Sequence, residues 1–366
     1  MPERAAEPRI SSATRRLLRS ARTLTTPLLP DDYLELINPM WSTRELRGRI
    51  EAIRHETHDT ATVVIRPSFP WPGHRPGQYL RLGVEINGVR HWRAYTITSD
   101  PEHPGGLVSI TVKCVDDGKL SPYFVRIAEP GQIVFLGEVE GTFGHADRAP
   151  QRALFVSAGS GITPIFSLLR SLDRAGGLDD AVHLYSMRTA DDFIFESQLR
   201  DLGRRRPGYR LHVRESSREG RITPAELERL CPDWRERDAF LSGPRGMLDA
   251  MKAHWQQAGD PALLDMERFQ PIIGGDEVEA GAGGTVRFRV TDFAADCDGT
   301  TPILVAGEQA GGLLPFGCRM GICHTCVGRL QEGRVRDLRT GEVHGEKGQM
   351  IRTCVNCPEG HVEIDL

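Results

Sequence analysis

A short cysteine-containing loop near the C-terminus constrains this chain more than any other feature. The loop has the spacing C-x4-C-x2-C, formed by Cys318, Cys323 and Cys326. Two more cysteines, Cys354 and Cys357, follow in the next part of the chain. Gly317 and Gly321 allow the sharp backbone turn that three thiolates from one loop need if they are to converge. The loop therefore predicts a metal site.

Two kinds of metal site agree with these cysteines. With a distant fourth thiolate, C-x4-C-x2-C is the spacing of a plant-type 2Fe-2S cluster, which accepts and releases single electrons. Two C-x2-C pairs, Cys323 with Cys326 and Cys354 with Cys357, suggest zinc instead. The zinc alternative leaves Cys318 without a role and separates its pairs by more residues than is usual. We therefore favour the cluster and keep zinc as the alternative.

The composition indicates a globular protein with more than one domain. The chain has 366 residues, of which 39% are hydrophobic, enough for two or three separate cores. Lys and Arg number 46 against 50 Asp and Glu, so the net charge of −4 does not support binding to nucleic acid. Eight cysteines without an apolar signal segment favour the reducing cytoplasm. No apolar run approaches about 18 residues, so we expect no transmembrane segment.

Residues 1–44 form a basic N-terminal segment. The pattern over residues 11–24 predicts an amphipathic helix with four arginines, Arg15, Arg16, Arg19 and Arg22. Such a helix can lie on an anionic membrane surface. The alternative, which we favour, is a solvated helix packed on the body of the protein. After Pro27 and Pro30, residues 31–37 predict a second short helix.

The rest of the chain divides into three regions and a linker. Residues 45–149 predict a small antiparallel β-barrel, because strands alternate with turns rich in Gly and Pro, at 62–65, 78–82, 94–97 and 108–112. Residues 150–270 predict a parallel α/β sheet, because buried strands alternate with helices, as at 153–156 and 182–185. Residues 271–284 are a linker rich in Gly, Ala and acidic residues. Residues 285–366 form a third small domain, whose first strand is predicted at 286–290.

Two motifs in the barrel region suggest a ligand. In Arg93-Ala94-Tyr95-Thr96 the first and third side chains share one face of a strand, so a cation and an aromatic ring can serve one ligand with a phosphate and a flat ring. Gly118-Lys119-Leu120-Ser121 can open a helix whose first N–H groups receive an anion. The alternatives are an edge-strand arginine beside a core tyrosine, and a plain helix N-cap.

Two turns in the α/β region contain glycines and follow predicted strands. The first lies before a helix predicted at residues 165–175 and contains Gly159, Gly161, Thr163 and Pro164. Its glycines allow close approach of a pyrophosphate, and proline suits a first helical position. It departs from G-x-G-x-x-G, which has glycine where Pro164 stands. The second turn contains Ser242, Gly243 and Pro244, at the strand edge where ligands gather in such sheets. A tight turn without a ligand is the alternative for each.

In this order, the motifs resemble those of the ferredoxin–NADP reductase superfamily, in the subgroup with a plant-type ferredoxin domain at the C-terminus. The resemblance covers about residues 45–366. It implies an antiparallel β-barrel flavin domain, a parallel α/β nicotinamide-nucleotide domain and a β-grasp α+β ferredoxin domain. FAD, rather than FMN, is also an expectation from the resemblance.

The resemblance assigns roles to the motif residues. In the family, an arginine holds the flavin phosphate, a tyrosine packs on the isoalloxazine and a hydroxyl residue approaches N5, which correspond to Arg93, Tyr95 and Thr96. The family's G-x-x-S phosphate contact corresponds to Gly118, Leu120 and Ser121. Its nicotinamide-dinucleotide loop corresponds to Gly159, Gly161, Thr163 and Pro164.

Other correspondences concern the nicotinamide and the cluster. The family often has Cys-Gly-Pro near the nicotinamide, where this chain has Ser242-Gly243-Pro244, and serine still forms hydrogen bonds. Phe269 resembles the residue that stacks on the flavin, with an interdomain core aromatic as the alternative. The ferredoxin ending implies Cys354 as fourth ligand and Cys357 as a neighbour. The remaining cysteines are expected to be core or surface residues, namely Cys114, Cys231 and Cys297.

The predicted mechanism is electron transfer in steps. Two electrons arrive as hydride from the nicotinamide at the flavin, and the cluster passes them on singly. This chemistry needs no side-chain nucleophile or base, and we assign no catalytic residue. We expect a preference for NADPH, because Ser186 and Arg188 follow the strand at 182–185 where a 2′-phosphate would lie. Asp191 and Asp192, one turn later, weaken that expectation.

The electron acceptor is expected to be a metal oxygenase. The basic N-terminal segment and residues 31–42 are most like those of actinobacterial reductases that feed membrane fatty-acid desaturases. A membrane desaturase is therefore the first choice, with the reductase cytoplasmic or peripheral at the inner face of the membrane through residues 1–44. One alternative is the reductase of a ring-hydroxylating or alkane-oxidising oxygenase. Another is a redox-sensing or scaffold protein.

Overall fold

The computed structural model describes residues 37–42, 45–86, 88–102, 105–116, 118–144, 150–269, 281–316, 321 and 324–366. The helices predicted at 11–24 and 31–37 lie outside these ranges, except for Ile37. The first described element is a 3-10 helix, Pro39–Trp41. Across the described ranges, no helix combines the length and the apolar character needed to cross a membrane.

The first sheet is antiparallel and closes into a barrel. Its six strands are β1 (Arg47–Thr57), β2 (Thr60–Pro67), β3 (Tyr79–Ile86), β4 (Val89–Thr96), β5 (Val108–Lys113) and β6 (Ile133–Glu140). They lie in the order β4-β3-β6-β1-β2-β5, and a bridge between Ile97 and Ile110 joins the two edges. Helix α1 (Leu120–Arg126) packs Leu120 and Phe124 into the barrel core. The predicted barrel is confirmed, although Ile97 lies just beyond β4.

The second sheet is parallel, as predicted. Its strands are β7 (Ala153–Ala158), β8 (Ala181–Met187), β9 (Tyr209–Glu215), β10 (Asp238–Ser242) and β11 (Leu264–Glu267), in the order β11-β10-β7-β8-β9. Helices accompany the strands, namely α2 (Ile162–Ala175), α3 (Glu196–Arg205), α4 (Ser216–Glu219), α5 (Pro224–Leu230) and α6 (Arg245–Ala258). The strand order reverses beside β7, so the carboxyl ends of β7 and β10 form the crevice where such sheets bind ligands.

Helix α2 begins earlier than the sequence predicted. It starts at Ile162, directly after a 3-10 turn at Gly159–Gly161, and not at residue 165. Pro164 is thus the third helical residue and not the first. Proline is tolerated there because the first N–H groups of a helix have no partner within the helix.

The C-terminal region forms a mixed sheet and a small second sheet. The mixed sheet has the order β13-β12-β19-β14-β17, with β12 (Gly284–Phe288), β13 (Phe293–Cys297), β14 (Val327–Glu332), β17 (Met350–Arg352) and β19 (Val362–Asp365). The small sheet contains β15 (Val335–Asp337), β16 (Val343–His344) and β18 (Asn356–Pro358). Helix α7 (Ile303–Gln309) buries Ile303 and Leu304, completing an α+β fold. The predicted first strand begins at Gly284 and ends at Phe288, since residues 289–290 form a turn.

A buried histidine lies at the centre of the parallel sheet. His183 of β8 is 0% exposed, with Nε2 2.9 Å from Ser157 Oγ and Nδ1 2.6 Å from Tyr209 Oη. Burial lowers the pKa of His183 to about 3, and the positive charge of His212 contributes. The ring therefore stays neutral in the folded protein at any pH near neutrality.

This histidine should make the protein less stable in mild acid. The unfolded chain binds a proton near pH 6.5 and the folded chain does not, so stability present above about pH 6.5 falls as the pH drops, by up to about 1.4 kcal/mol per unit. We expect His183→Gln to lose less stability than the wild type between about pH 7.5 and about pH 5. Urea unfolding midpoints at both pH values measure this, with exposed His55→Gln as the control. Identical pH dependence in His183→Gln and the wild type would contradict the assignment.

Candidate cofactor-binding sites

Strand β4 presents the predicted flavin motif. Arg93 and Tyr95 are two residues apart on this strand and so share a face. The Tyr95 ring meets Phe124 of α1 edge-on, with 6.1 Å between centroids, and burial raises the pKa of its hydroxyl. Thr96 ends the strand and is 7% exposed. The tyrosine therefore also packs on the barrel core, as its alternative interpretation proposed.

The structure brings both barrel motifs together. Burial lowers the pKa of His91, and the positive charges of Lys119 and Arg93 lower it further. His91 and Arg93 lie on β4, whereas Lys119 precedes α1, so the positive charges of two segments act on the same histidine. Among the described residues, the Arg93 guanidinium donates only to the Trp92 carbonyl, at 2.9 Å, and has donors left for a ligand. This basic surface fits a phosphate group.

Ser121 shapes the loop before α1. Its Oγ accepts a hydrogen bond from Val115 N at 3.1 Å, and Gly118 N donates to the Val115 carbonyl at 2.8 Å. A β-carbon on Gly118 would lie 2.9 Å from Ser121 Oγ, so the tight loop needs glycine. The alternative of a plain N-cap at Ser121 is wrong, because α1 begins at Leu120. Leu120 itself is 2% exposed and belongs to the core.

The turns that follow β7 and β10 are in direct backbone contact. A β-carbon on Gly161 would lie 2.3 Å from the Ser242 carbonyl oxygen, and one on Gly243 would lie 3.2 Å from Ala158 N. Gly159 has φ +55 and faces open space. Thr163 Oγ1 donates to the Ser160 carbonyl at 3.0 Å and so fixes the turn. Glycine is therefore required at 161 and 243 because a β-carbon would not fit, and it is favoured at 159 because of the positive φ.

A cavity of about 380 Å³ opens beside these turns. Residues from both sheets line it, including Lys113, Gly159, Gly161, Gly243, Pro244 and Phe269. Lys113 comes from the barrel strand β5, and its Nζ lies 2.7 Å from Asp59 Oδ2 and 3.8 Å from Asp192 Oδ1. An ion pair therefore connects the barrel to the parallel sheet at the edge of the cavity.

Two buried polar groups at or beside this cavity have no hydrogen-bond partner among the described residues, and a polar, anionic ligand could supply one. Ser242 Oγ is buried without a hydrogen-bond partner among the described residues, directly before the cavity-lining Gly243. Arg268 lines the cavity and donates from Nη1 to Asp249 Oδ1 at 2.7 Å, while its buried Nη2 has no partner among the same residues. Buried donors of this kind are costly unless a ligand satisfies them. The cavity therefore fits a polar, anionic ligand.

Sequence reasoning did not assign Lys113 or Arg245 to this site, and it placed Glu267 and Arg268 only in the segment with Phe269 that resembles the one closing over the flavin. Lys113, Arg245 and Arg268 line the cavity. Glu267 pairs in register with Ser242, and burial together with the charge of Asp265 raises the pKa of Glu267 to about 7. The proximity of Lys113 to the glycine turns follows from how the two sheets pack, which no local pattern encodes.

Arg188 lies on the surface after β8. Its side chain is 76% exposed, and Nε is 3.5 Å from Asp192 Oδ2. Asp192 also accepts hydrogen bonds from the backbone and the hydroxyl of Thr189. Asp192, one of the two acidic residues that weakened the NADPH expectation, is therefore engaged in a capping box.

The cluster-loop cysteines lie partly outside the described residues. Cys318 and Cys323 are not described, whereas Cys326 and Cys354 are 1% and 2% exposed. Cys354 Sγ accepts a hydrogen bond from Gly321 N at 3.3 Å. The Cys326 carbonyl accepts from Thr353 N at 3.2 Å and from Thr353 Oγ1 at 2.8 Å. A thiol with an amide donor, anchored beside a second buried thiol, fits a cluster ligand.

The other described cysteines have different surroundings. Cys357 lies on β18 of the small sheet, where a β-carbon on Gly281 would approach its Sγ to 2.4 Å. Burial raises the pKa of Cys357, and burial raises the pKa values of Cys231 and Cys297 to about 12. Cys231 and Cys297 are buried core residues, as expected, and Cys114 is half-buried.

Family models match all three regions of the chain. Residues 48–147 match an oxidoreductase FAD-binding domain, residues 155–253 an oxidoreductase NAD-binding domain, and residues 289–359 a 2Fe-2S iron-sulfur cluster binding domain. The cluster, and not zinc, is therefore the metal group of the C-terminal region. The cofactors are FAD, a 2Fe-2S cluster and NAD(P)H.

Similar proteins extend over nearly the whole chain. An "NADPH oxidoreductase" of Mycobacterium tuberculosis is 45% identical over 96% of this chain and 92% of its own length. A "Glycine betaine monooxygenase reductase subunit" of Chromohalobacter salexigens is 28% identical over 89% of this chain and 96% of its own. The structure of phthalate dioxygenase reductase matches with a TM-score of 0.59 and 21% identity, covering 87% of this chain and 97% of that one.

These matches agree with the site geometry and with the expected three-part fold. The enzyme is an oxidoreductase that transfers electrons from NAD(P)H through FAD to a 2Fe-2S cluster, so a role restricted to sensing or scaffolding is not retained. The chain belongs to the ferredoxin–NADP reductase superfamily, in the group whose members carry a C-terminal 2Fe-2S ferredoxin domain.

Proposed function

We propose that this reductase delivers electrons from NADPH to a metal oxygenase. The observation that carries the proposal is the cavity whose walls come from both sheets, with Lys113 on the barrel side and the two glycine turns opposite. A nucleotide in this cavity and a flavin on the β4 face would lie next to each other. The ferredoxin region then provides the exit for single electrons.

The barrel residues would hold the flavin, which supplies the ability to take two electrons and release them singly. Arg93, with Lys119 nearby, binds the phosphate, and the loop with Gly118, Leu120 and Ser121 lies against it. Tyr95 packs on the ring system, and Thr96 approaches its reactive edge. We propose residues 45–149 as this domain.

The α/β residues would hold the nucleotide. Gly159 and Gly161 leave room for the pyrophosphate, and Thr163 and Pro164 fix the turn that presents them. Ser242, Gly243 and Pro244 contact the nicotinamide, and the unsatisfied Ser242 hydroxyl is free to donate to it. Phe269 covers the flavin. We propose residues 150–270 as this domain, followed by a linker at 271–284.

The ferredoxin domain, residues 285–366, would hold the cluster through Cys318, Cys323, Cys326 and Cys354. Cys354 is the proposed fourth ligand because its sulfur receives the Gly321 amide and because Thr353 anchors the neighbouring ligand Cys326. Cys357 lies on the small sheet with its Sγ next to Gly281, and it is not proposed as a ligand.

Replacing Cys354 should separate the two halves of the reaction. We expect Cys354→Ser to lose at least about nine-tenths of cytochrome c reduction by NADPH, since electrons leave through the cluster, while ferricyanide reduction at the flavin stays within about twofold. Steady-state assays and iron content measure both effects.

The matched control is Cys357→Ser, which removes the other buried thiol close to Cys354 in the sequence. It should retain iron and both activities. Loss of iron in Cys357→Ser with retention in Cys354→Ser would reverse the ligand assignment. Full cytochrome c reduction in both variants would contradict the proposal that electrons leave through the cluster.

Nucleotide preference should depend on Arg188. The guanidinium is exposed and bound only loosely to Asp192, so it can pair with a 2′-phosphate. The name of the M. tuberculosis relative supports NADPH. We expect Arg188→Ala to lower kcat/KM for NADPH about tenfold, with little change for NADH, as for one lost charge-assisted contact.

Exposed Arg200→Ala, on α3, is the control for this variant because its ion pair with Glu196 lies on the helix surface. It should leave both kcat/KM values unchanged. An Arg188→Ala enzyme that still prefers NADPH as the wild type does would contradict the assignment.

The nature of the acceptor is supported by two different observations. Relatives named as reductase subunits of glycine betaine monooxygenase and of stachydrine N-demethylase support an oxygenase. The basic segment at residues 1–44 favours, within that class, a membrane fatty-acid desaturase reached from the inner face of the membrane. A ring-hydroxylating or alkane-oxidising oxygenase remains the second candidate.

A truncation distinguishes these acceptors. If a membrane desaturase is the partner, removal of residues 1–44 should lower desaturation by membranes several-fold, because the cationic segment no longer concentrates the reductase there. Cytochrome c reduction should not change. Desaturation that is equally fast with and without the segment would remove the argument for a membrane partner.

A further inference from the structure

Three consecutive residues at the end of β17 each contact the cluster-binding loop. Arg352 Nη1 donates to the Gly321 carbonyl at 2.8 Å. Thr353 donates twice to the Cys326 carbonyl, and Cys354 Sγ accepts from Gly321 N. The strand therefore holds the loop at two points, and the arginine provides one of the contacts at Gly321.

Gly321 is held on both sides. Its N–H points to Cys354 Sγ, and its carbonyl points to Arg352, so both of its backbone torsions are fixed. Its φ of +72 is a conformation that favours glycine. A β-carbon there would lie 2.7 Å from Arg339 Nη1 and 2.9 Å from Val355 Cγ2. Any other residue here would be strained by this φ and would displace the side chains of Arg339 and Val355.

The carboxylate of Asp337 pairs with Arg339 and not with Arg352. Asp337 is 3% exposed and pairs with Arg339, with 2.6 Å between Oδ2 and Nη2. Burial acts to raise the pKa of Asp337, but the hydrogen bonds and charge of Arg339 and the charge of Arg352 lower it, so the carboxylate is ionised. Its nearest guanidinium is Arg339. Across the described residues, no ion pair to Arg352 occurs, and the carbonyl of Gly321 is its hydrogen-bond acceptor.

We propose that Arg352 is a positioning residue that raises the reduction potential of the cluster. It does so by holding the Gly321 N–H on Cys354 Sγ and by placing a positive charge next to the loop. Reduction adds one negative charge to the cluster, and amide donors to sulfur and nearby cations stabilise that added charge. The inference rests on the proposed assignment of Cys354 as a ligand.

The cluster's midpoint potential tests the inference directly. In the full-length holoprotein, we expect Arg352→Gln to lower the equilibrium constant for one-electron reduction about tenfold, equivalent to about 59 mV. The matched control is Arg329→Gln, which makes the same charge change on the exposed face of the neighbouring strand β14. Potentiometric titration followed by electron paramagnetic resonance should show no comparable shift for Arg329→Gln.

A second measurement reports the hydrogen bond itself. Resonance Raman spectra in H₂O and D₂O show how strongly exchangeable N–H groups couple to the Fe–S stretches, and we expect this isotope shift to shrink in Arg352→Gln. If Arg352→Gln retains no cluster, Arg352→Lys, which keeps the charge but not the guanidinium geometry, should show a smaller shift of potential in the same direction.

The results that would overturn the proposal are distinct from a failure of the ligand assignment. An unchanged midpoint in Arg352→Gln overturns it, as does an equal shift in Arg329→Gln. If Arg352→Gln holds no cluster, an unchanged midpoint potential in Arg352→Lys also overturns the proposal. Retention of iron by Cys354→Ser would instead show that the ligand assignment is wrong.

Discussion

The close backbone contact between Gly161 and the Ser242 carbonyl determines the shape of the proposed nucleotide site. No side chain fits between the two turns, so the carboxyl ends of β7 and β10 remain next to each other. The strand order of the parallel sheet reverses at that point, which opens a crevice. The barrel then contributes Lys113 to the opposite wall. The shape of a site shared by two sheets thus depends on glycine at positions 161 and 243, where a β-carbon would not fit.

Electrostatic complementarity is built from residues distant in the sequence. On the barrel, the positive charges of Arg93 in β4 and of Lys119 before α1 both act on His91. At the cavity, Lys113 of β5, Arg245 at the start of α6 and Arg268 after β11 line one space, and each also pairs with a carboxylate. Each group comes from a different segment, so each positive surface exists only in the folded chain. The proposed sites for the anionic cofactors therefore lie where the segments meet, and bound cofactors should also strengthen the contacts between these segments.

The sequence revealed the architecture because the relevant signals are local. Strand periodicity, glycine turns after buried strands and the C-x4-C-x2-C spacing predicted the barrel, the parallel sheet and the cluster domain. The start of α2 was misplaced because proline was assigned to the first helical position, although the whole first turn tolerates it. Lys113 was not assigned because its proximity to the glycine turns arises from packing between the two sheets. The hydrogen bond from Arg352 to the Gly321 carbonyl could not be predicted either, because no local sequence pattern shows which carbonyl an arginine on a strand will bind.

The buried cysteines outside the cluster bear on how the enzyme withstands its own chemistry. Burial raises the pKa values of Cys231 and Cys297 to about 12 and also raises that of Cys357. Peroxide attacks thiolates and not thiols, and reduced flavins that meet oxygen produce peroxide. These sulfurs stay protonated at neutral pH and so resist oxidation to sulfenic acid. With the proposed ligand set, burial thus keeps these three thiols in the protonated form, which reacts slowly with peroxide.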